Sequence, residues 1–284
     1  MWLVTAVGSA ILFGLAGWWM KVSQMRGGTT ARLLFGLYAA GTAGFAVHAW
    51  LEGSLSVLGT PEVWLAGVII GAGSAWGNAL FMKALDYGPA SLTSPLTNMN
   101  IILVVALGTW YYGEELSLQE AIGIILLLLA VVFISYKGRE PVSVGEKRWY
   151  VYVGAAIVLF ALRNGGLKVT EELGMPSAPI LMIAYALSLL WFIDTGRVKG
   201  KQASPSAQRI GWRYGLLAGL FSYGGLQLYA LALASGPSNL AAPIFATNSL
   251  VVAIGAIVVY RERLTMMQWT AFGLTITGLL VIRL

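Results

Sequence analysis

The chain has 284 residues, of which 58% are hydrophobic and only 11% are charged, and it contains no cysteine. Charged residues make up about a quarter of soluble domains, so this composition indicates an integral membrane protein, and the missing cysteines exclude disulfides and thiolate metal sites. The net charge of +6 does not indicate nucleic-acid binding, because the basic residues lie between apolar segments, where membrane topology explains them.

Ten segments are apolar enough to be membrane-spanning helices, which need about 20 residues each. The first lacks the charged region and cleavage site of a signal peptide, so we expect it to be retained. Residues 214–260 contain no charge; as one helix they would extend about 70 Å, so the chain must turn at "SGPSN", residues 235–239. The predicted spans are Trp2–Met20, Arg32–Leu51, Val63–Leu85, Ala90–Gly113, Ser117–Tyr136, Trp149–Thr170, Ser177–Thr195, Arg213–Ser235, Pro237–Tyr260 and Met266–Arg283.

Lysine and arginine concentrate in odd-numbered loops, which all lie on the same side of the membrane. The first, fifth, seventh and ninth loops are basic, whereas the second, fourth and eighth contain no lysine or arginine. The positive-inside rule therefore predicts that the basic loops face the cytoplasm and that both termini lie outside.

The two halves of the chain match each other in register. An offset of 147 residues pairs Lys21 with Lys168 and Tyr38 with Tyr185. Further along, an offset of 148 residues pairs Gly88 with Gly236, Pro89 with Pro237, Pro95 with Pro243, Asn100 with Asn248 and Glu114 with Glu262. Chance does not easily produce glycine, proline and asparagine matches in constant register, so we interpret the chain as an internal repeat.

Each repeat holds five predicted spans, in residues 1–140 and 149–284, joined by a basic linker at 141–148. An odd number of spans places the second repeat upside down relative to the first, as in many secondary transporters. The loop "YYGEELS" is acidic in the first half, and its counterpart "VYRERLT" is basic in the second, as opposite membrane sides require. The predicted fold is all-α and integral to the membrane, with ten transmembrane helices as two inverted five-helix repeats.

Ten spans, a Gly-Pro turn before the fourth helix of each half, and the "GEEL" and "RERL" turns after it resemble the EamA-type transporters of the drug/metabolite transporter superfamily. The resemblance covers essentially the whole chain. It implies a central cavity lined by spans one, three, four, six, eight and nine, and alternating-access transport of amino acids, sugars, nucleotides or other metabolites. It also implies cytoplasmic termini, against the charge bias, so both orientations stay open. Small multidrug members use a carboxylate in the first helix, and "AILFGLAGWWM" has none, which disfavours proton-coupled export of cationic drugs.

Arg163 is the leading candidate for substrate binding. It lies about two-thirds along the sixth predicted span, where a charge costs on the order of 3 kcal/mol on insertion scales. Its repeat partner is Ala16, so the scaffold does not require it. The sequence leaves two interpretations, an anchor for a carboxylate or phosphate group and a snorkelling or ion-paired arginine. Asn164, beside it, is a second candidate.

The other substrate-binding candidates are polar or aromatic residues inside predicted spans. An amide near the membrane midplane hydrogen-bonds a polar substrate or joins two helices, and aromatic residues form a stacking wall or an interfacial belt. The sequence leaves both roles open for each of them. These candidates are Asn98, Asn78, Trp76, Gln227, Tyr223, Thr247 and Trp18.

Repeat-matched polar residues are expected to serve the architecture, because both halves share them. We expect Asn100 and Asn248 to join helices. Glu114 and Glu262 follow the fourth and ninth spans, and we expect each carboxylate to cap the helix that comes directly after it in the chain.

The repeat-matched prolines have two predicted roles. Pro89 and Pro237 stand near helix starts, where the missing N–H is harmless. Pro95 and Pro243 lie further inside their spans, where proline loosens the helix and leaves backbone carbonyls free for other partners.

Three functions are compatible with these features. The leading one is a multi-pass cell-membrane transporter, an exporter or exchanger of a small polar or amphipathic metabolite, amino-acid-like or anionic, with no catalysis, metal or cofactor. The second is a membrane protein that handles lipid-linked substrates. An enzyme acting on such substrates is disfavoured, because no Asp, Glu or His cluster stands at a helix end and His48 is the single histidine. A non-catalytic interaction subunit is also compatible, as are monomeric and homodimeric forms.

The absence of cysteine makes the orientation testable by single-cysteine labelling. Under the charge-based orientation, Leu284→Cys reacts with a membrane-impermeant thiol reagent added outside intact cells, whereas Ser143→Cys is protected. Labelling of Ser143→Cys alone would establish the opposite orientation. Lysed cells, in which both variants react, serve as the control.

Overall fold

The structure, a computed structural model, describes residues 1–87, 93, 96–134, 147–200, 203–260 and 265–283. Over these ranges the regular structure is helical and no strand is present. The α-helices in chain order are α1 (Trp2–Met25), α2 (Thr30–Leu51), α3 (Pro61–Tyr87), α4 (Asn100–Ala106), α5 (Leu118–Ile134), α6 (Lys147–Glu172), α7 (Ser177–Gly200), α8 (Pro205–Ser235), α9 (Ser238–Ala246), α10 (Asn248–Tyr260) and α11 (Met266–Arg283). A 3-10 helix (Ser54–Gly59) precedes α3, and a π-helical turn (Leu107–Tyr111) extends α4.

Five of the described helices are long and apolar enough to cross a membrane, namely α1, α2, α3, α6 and α8. Four further apolar helical segments are shorter, at Leu96–Tyr111, Leu118–Phe133, Ser177–Ile193 and Trp269–Ile282. The described ranges therefore form the helices of a membrane protein, and the count of ten crossings stays a prediction.

Several helices run past the predicted limits of their spans. The eighth was expected from Arg213, but α8 begins at Pro205. Its start is set by the Ser204 hydroxyl, which accepts a hydrogen bond from the Ala207 N–H at 3.3 Å, and by proline at the first helical position. Hydropathy marks where the hydrocarbon ends, whereas a helix continues until its backbone hydrogen bonds are capped.

The helix of the predicted ninth span is interrupted at Thr247, between α9 and α10. The Thr247 N–H bonds to the Ile244 carbonyl, three residues back, at 3.1 Å. The Thr247 hydroxyl donates to the same carbonyl at 2.7 Å, and the Asn248 amide donates to the Phe245 carbonyl at 2.8 Å. Side chains that take backbone carbonyls in this way compete with regular helical bonds.

The fourth span breaks at the repeat-matched position. The Met99 N–H bonds to the Leu96 carbonyl at 3.1 Å, again three residues back. The Asn100 amide donates to the Thr97 carbonyl at 2.7 Å, as Asn248 does to its own third neighbour. Each half therefore has an interrupted helix at the same place, before its repeated asparagine.

The helices pack side by side in a ring. Each helix contacts the next in the order α1, α8, α2, α7, α3, α6, α4 and then α9 with α10, which contact α1 again. The pair α5 and α11 pack mainly against each other. Residues from both halves alternate through most of this ring, so the two halves bury one joint apolar core.

Glycines allow the closest approaches in the ring. A Cβ at Gly219 of α8 would overlap the carbonyl oxygen of Leu37 in α2. At the repeat-matched place, a Cβ at Gly71 of α3 would lie 2.9 Å from the carbonyl oxygen of Ala184 in α7. These contacts bring backbone against backbone, as small residues do between membrane helices, and they fix where α2 and α7 place their side chains.

We expect Gly219→Ala to destabilise the protein by about 1–3 kcal/mol, because the added methyl group meets a backbone atom that cannot rotate away. Gly154→Ala is the matched control, since a Cβ there meets nothing within 4 Å and alanine favours the helix. The measurement is denaturation by sodium dodecyl sulfate in mild detergent. Equal stability of the two variants would contradict the described α2–α8 spacing.

Candidate functional site

Arg163 and Asn164 lie side by side on α6, and both are buried, with exposed fractions of 6% and 1%. The helix is held close to α3 at this level, because Gly73 faces the backbone of Leu159 and Arg163 and leaves no room for a Cβ. The arginine backbone is therefore fixed by helix packing, and its side chain extends into the ring.

Aromatic side chains surround the Arg163 guanidinium. Its Cζ lies 5.3 Å from the ring centroid of Phe13 on α1 and 4.8 Å from that of Phe160 on α6. The ring of Phe13 in turn lies 4.9 Å from that of Phe245, and Tyr229 stacks on Phe245 at 4.4 Å. Ring faces attract a cation, but they do not neutralise it.

A hydrogen-bonded chain connects Arg163 to the interrupted fourth span. Arg163 Nε donates to Asn164 Oδ1 at 3.0 Å, and Asn164 Nδ2 donates to Asn100 Oδ1 at 2.8 Å. Asn100 in turn donates to the Thr97 carbonyl. This bond links Asn100 of α4 to α6 and places it next to the arginine.

Two repeat-matched tyrosines are buried where α2 contacts α7. Tyr38 and Tyr185 pack edge to face, with ring centroids 5.1 Å apart. The Tyr38 hydroxyl lies 3.0 Å from Ser74 Oγ on α3, and the Tyr185 hydroxyl lies 2.7 Å from Ser222 Oγ on α8. Asn78 also donates to the Tyr38 hydroxyl, at 2.8 Å, so this candidate belongs to the tyrosine cluster.

Arg163 and two buried polar atoms of α8 have unused hydrogen-bonding capacity among the described residues. No carboxylate of the described ranges forms an ion pair with Arg163. The Tyr229 hydroxyl and Gln227 Oε1, both on α8, are buried without a hydrogen-bond partner among the described residues. Because buried polar atoms are normally satisfied, a ligand with acceptor oxygens would complete the bonding of the guanidinium and the phenol.

Lys168, one and a half turns after Arg163 on α6, is neutralised within the protein. Its Nζ lies 2.8 Å from Glu114 Oε1 and also pairs with Glu172. Among the described residues Lys168, and not Arg163, forms the ion pair with Glu172 at the end of α6. The two buried cations of α6 therefore have different surroundings, and of these two Arg163 has no carboxylate partner among the described residues.

Glu114 caps a different helix from the one predicted. Its carboxylate accepts hydrogen bonds from the N–H groups of Ser238 and Asn239, both at 2.8 Å, at the start of α9 in the other half. The following helix, α5, has its own cap: the Ser117 N–H donates to the Glu120 carboxylate, and the Glu120 N–H donates to the Ser117 hydroxyl. Sequence neighbourhood was a poor guide here, because the loop folds back onto the ring.

The pKa of Glu114 lies below its ordinary value. Burial alone would raise that pKa, but the hydrogen bonds from Lys168, Ser238 and Asn239 favour the carboxylate and outweigh burial. The carboxylate is therefore ionised, and it joins α6, the loop after α4 and α9 at one end of the ring.

Other predicted residues lie away from Arg163. Trp76 is 47% exposed and packs on Trp191 at the outer surface, and Tyr223 hydrogen-bonds His48 Nδ1 at 2.9 Å near the end of α2. Trp18 is buried in a small apolar cluster with Val22. The structure does not bring these three candidates together with the arginine.

The remaining predicted residues are accounted for as follows. Asn98 is half-buried and takes no part in the amide chain, and Thr247 is buried at the helix break. Pro237 stands directly before α9 and Pro243 lies inside it. Outside the described residues lie Pro89, Pro95 and Glu262.

Phe13, Phe160 and the three tyrosines were not predicted as site residues. The repeat match of Tyr38 with Tyr185 was a usable signal, since a hydroxyl kept at a core position of both halves needs a partner. Phe13 and Phe160 are also repeat-matched, but two apolar aromatic residues at matched positions are typical of an ordinary core. Tyr229 gave no signal in the sequence.

Comparison with known proteins gives a match over nearly the whole chain. The model of the EamA-like transporter family matches residues 1–136 and 147–284. A solved crystal structure superposes with a TM-score of 0.78 over 99% of this chain and 95% of that chain, at 15% identity. At this identity the likeness shows a shared fold alone.

The chain is also similar to two kinds of curated protein. A probable 4-amino-4-deoxy-L-arabinose-phosphoundecaprenol flippase subunit ArnE of Hamiltonella defensa subsp. Acyrthosiphon pisum is 30% identical over 93 residues, which are 31% of this chain and 76% of that protein. An uncharacterized transporter of Archaeoglobus fulgidus is 27% identical over 191 residues, 66% of this chain and 64% of that protein.

We expect Glu114→Gln to lower the free energy of unfolding by about 1.5–3 kcal/mol, the contribution of hydrogen bonds to a charged group. Since the folded pKa lies below the ordinary 4.5, the difference from wild type is complete above about pH 4.5 and shrinks as the pH falls through the folded pKa. Denaturant titrations of both proteins at several values between about pH 3 and pH 7 measure this difference in unfolding free energy.

The matched control is Glu115→Gln, at an exposed neighbouring carboxylate. It should change stability by less than about 0.5 kcal/mol. Similar stabilities of the two variants at neutral pH would show that the Glu114 contacts do not hold α9.

Proposed function

The chain belongs to the EamA-like transporter family, and from this we propose that it carries a small anionic or amphipathic metabolite by alternating access, with Arg163 binding the anionic group. The family match covers residues 1–136 and 147–284, so it includes every helix of the described ring. The observation that carries the proposal is the buried Arg163 guanidinium, which has aromatic and amide neighbours but no described carboxylate partner.

The energetics favour a ligand over a structural role for Arg163. An unpaired charge inside a membrane protein is costly to bury, and the ring faces of Phe13 and Phe160 offset only part of that cost. Lys168 on the same helix shows the structural solution, two carboxylates within reach. A guanidinium presents a planar fork that binds carboxylate or phosphate through two hydrogen bonds, so such a group is the fitting counterion.

The interrupted helices support transport as the activity. Secondary transporters bind substrates at unwound points of helices near the membrane midplane, where backbone groups become available. Here the breaks at Met99 and Thr247 are matched in the repeat, and the amide chain from Asn164 to Asn100 reaches the first of them. A substrate bound at Arg163 is thereby connected to a helix that can change shape.

The inverted repeat supplies the mechanism that we propose. Matched contacts recur in both halves: Tyr38 with Ser74 recurs as Tyr185 with Ser222. The α1–α8 and α2–α8 contacts recur as α6–α3 and α7–α3. Two halves with equivalent contacts can exchange conformations, so that the outward-open and inward-open states are related by swapping the roles of the repeats.

Transport of a lipid-linked substrate is the second candidate, favoured by the names of the flippase-subunit relatives. Those proteins align with only part of this chain, 31% and 32%, so the likeness supports a related scaffold more than a shared substrate. A soluble metabolite library and a set of polyprenyl-phosphate lipids, compared for stabilisation of the folded protein, separate the two candidates.

We expect Arg163→Gln to reduce substrate counterflow in proteoliposomes by about 10-fold to 100-fold. This reduction corresponds to losing hydrogen bonds to a charged group that contribute about 1.5–3 kcal/mol. The reason is that glutamine keeps a polar side chain but removes the positive charge and the bidentate fork. The same substitution should abolish thermal stabilisation by the transported anion.

Arg148→Gln is the control, because this arginine is exposed at the start of the same helix. It should leave transport and ligand stabilisation unchanged. Wild-type activity of a correctly folded Arg163→Gln variant would refute the assigned binding residue, whereas inactivity of wild type toward every soluble and lipid-linked anion would refute the proposed function.

A further inference from the structure

We propose that a groove between α2 and α8, at the basic side of the protein, binds the phosphate of an anionic lipid headgroup. The groove has a volume of about 410 Å³ and is lined by Arg32, Phe35, Gln208, Arg209 and Trp212. It lies at the N-terminal ends of α2 and α8, away from Arg163, so the proposal does not depend on the transported substrate.

Two arginines give the groove its charge. Arg32 and Arg209 form no ion pair with any carboxylate of the described residues, and Arg32 Nε is buried without a hydrogen-bond acceptor among them. Two guanidinium groups on opposite walls of one groove suit the oxygens of a phosphate. The helix dipoles of α2 and α8 add positive potential at the same place.

The walls of the groove are held in position. The Thr29 N–H donates to the Ala207 carbonyl at 3.2 Å, which ties the start of α2 to the first turn of α8. The rings of Phe35 and Trp212 stack with centroids 5.2 Å apart. Arginines on a fixed backbone lose less conformational freedom when they bind than arginines on a loop, and the stacked rings supply an apolar surface at the depth where tryptophan favours the membrane interface.

The exposed face of α8 indicates a lipid rather than a free anion. Arg209, Arg213, Leu217 and Leu220 follow one another at spacings of four, four and three residues and are all exposed, so they share one side of the helix. The cationic end stands at the groove, and the leucines, 38% and 56% exposed, continue away from it. This order matches a phospholipid, with phosphate at the interface and acyl chains along the apolar helix surface.

The repeat shows that the scaffold does not require these charges. At the positions equivalent to Arg32 and Arg209 the other half has Pro179 and Pro61, whereas Trp212 is matched by Trp64. The aromatic residue is kept and both cations are replaced. The lipid site therefore belongs to one leaflet, the one that faces the basic loops.

A bound headgroup would join the two halves of the protein, because Arg32 comes from the first half and Arg209 from the second. The phosphate would bridge α2 and α8 at their starts, next to the Thr29–Ala207 contact. Anionic lipid in that leaflet should therefore stabilise the folded protein.

The test uses the purified full chain in detergent, with phosphatidylglycerol as the probe. Native mass spectrometry measures the lipid retained, and a thermal shift measures stabilisation. We expect wild type to retain phosphatidylglycerol in preference to phosphatidylcholine, and Arg32→Gln with Arg209→Gln to weaken its apparent affinity by about tenfold or more. Arg209→Gln alone should weaken it in the same direction, and its exposed side chain makes misfolding an inadequate explanation.

The charge-matched control is Lys147→Gln with Arg148→Gln, which removes two exposed cations of another basic segment. It should retain phosphatidylglycerol like wild type. Equal loss in both double variants, or equal retention of the two lipids by wild type, would overturn the proposal. An equal thermal shift from inorganic phosphate would overturn the lipid assignment in favour of a free anion. Neither result bears on transport through Arg163, which is measured separately.

Discussion

A polar or charged group inside this protein must find its partner within the protein, because neither lipid nor the packed ring supplies water. The two buried cations of α6 meet this constraint in different ways. Lys168 is paired with Glu114 and Glu172, whereas Arg163 has aromatic faces and one amide oxygen. The first arrangement is complete and holds the fold together. The second leaves a charge to be satisfied, and this incompleteness is what makes Arg163 a binding residue in our proposal.

The same constraint explains the interrupted helices. A break in a membrane helix is tolerated where the freed backbone groups bond to side chains, and Asn100 and Asn248 do this at matched positions by donating to carbonyls three residues back. Asn100 also receives the bond from Asn164, and no matched bond is found at Asn248 among the described contacts. Both halves thus have a helix break, but only the break at Asn100 is hydrogen-bonded to the neighbour of Arg163.

Departures from the repeat are the most informative positions in the chain. In the alignment of the halves, Ala16 stands at the position equivalent to Arg163. The positions equivalent to Arg32 and Arg209 are Pro179 and Pro61. In each case one half shows that the scaffold is built without the charge. The matched residues, by contrast, make matched contacts: Tyr38 and Tyr185 each bond a serine of the helix beside them. Comparison within one chain therefore separates architecture from specific function without other sequences.

The amino-acid sequence was sufficient to assign the membrane class, the approximate helix positions and the Gly-Pro turn before α9. It also predicted the repeat and gave Arg163 as a candidate binding residue, because hydropathy, helix breakers and an unmatched charge are local properties. It did not determine which side chains meet. Glu114 was assigned to the helix after it, yet it caps α9, 124 residues further along the chain, and Trp76 lies at the outer surface. Those outcomes depend on the order in which helices pack around the ring. That order is set by close backbone contacts such as Gly219 against Leu37, which only the tertiary structure reveals.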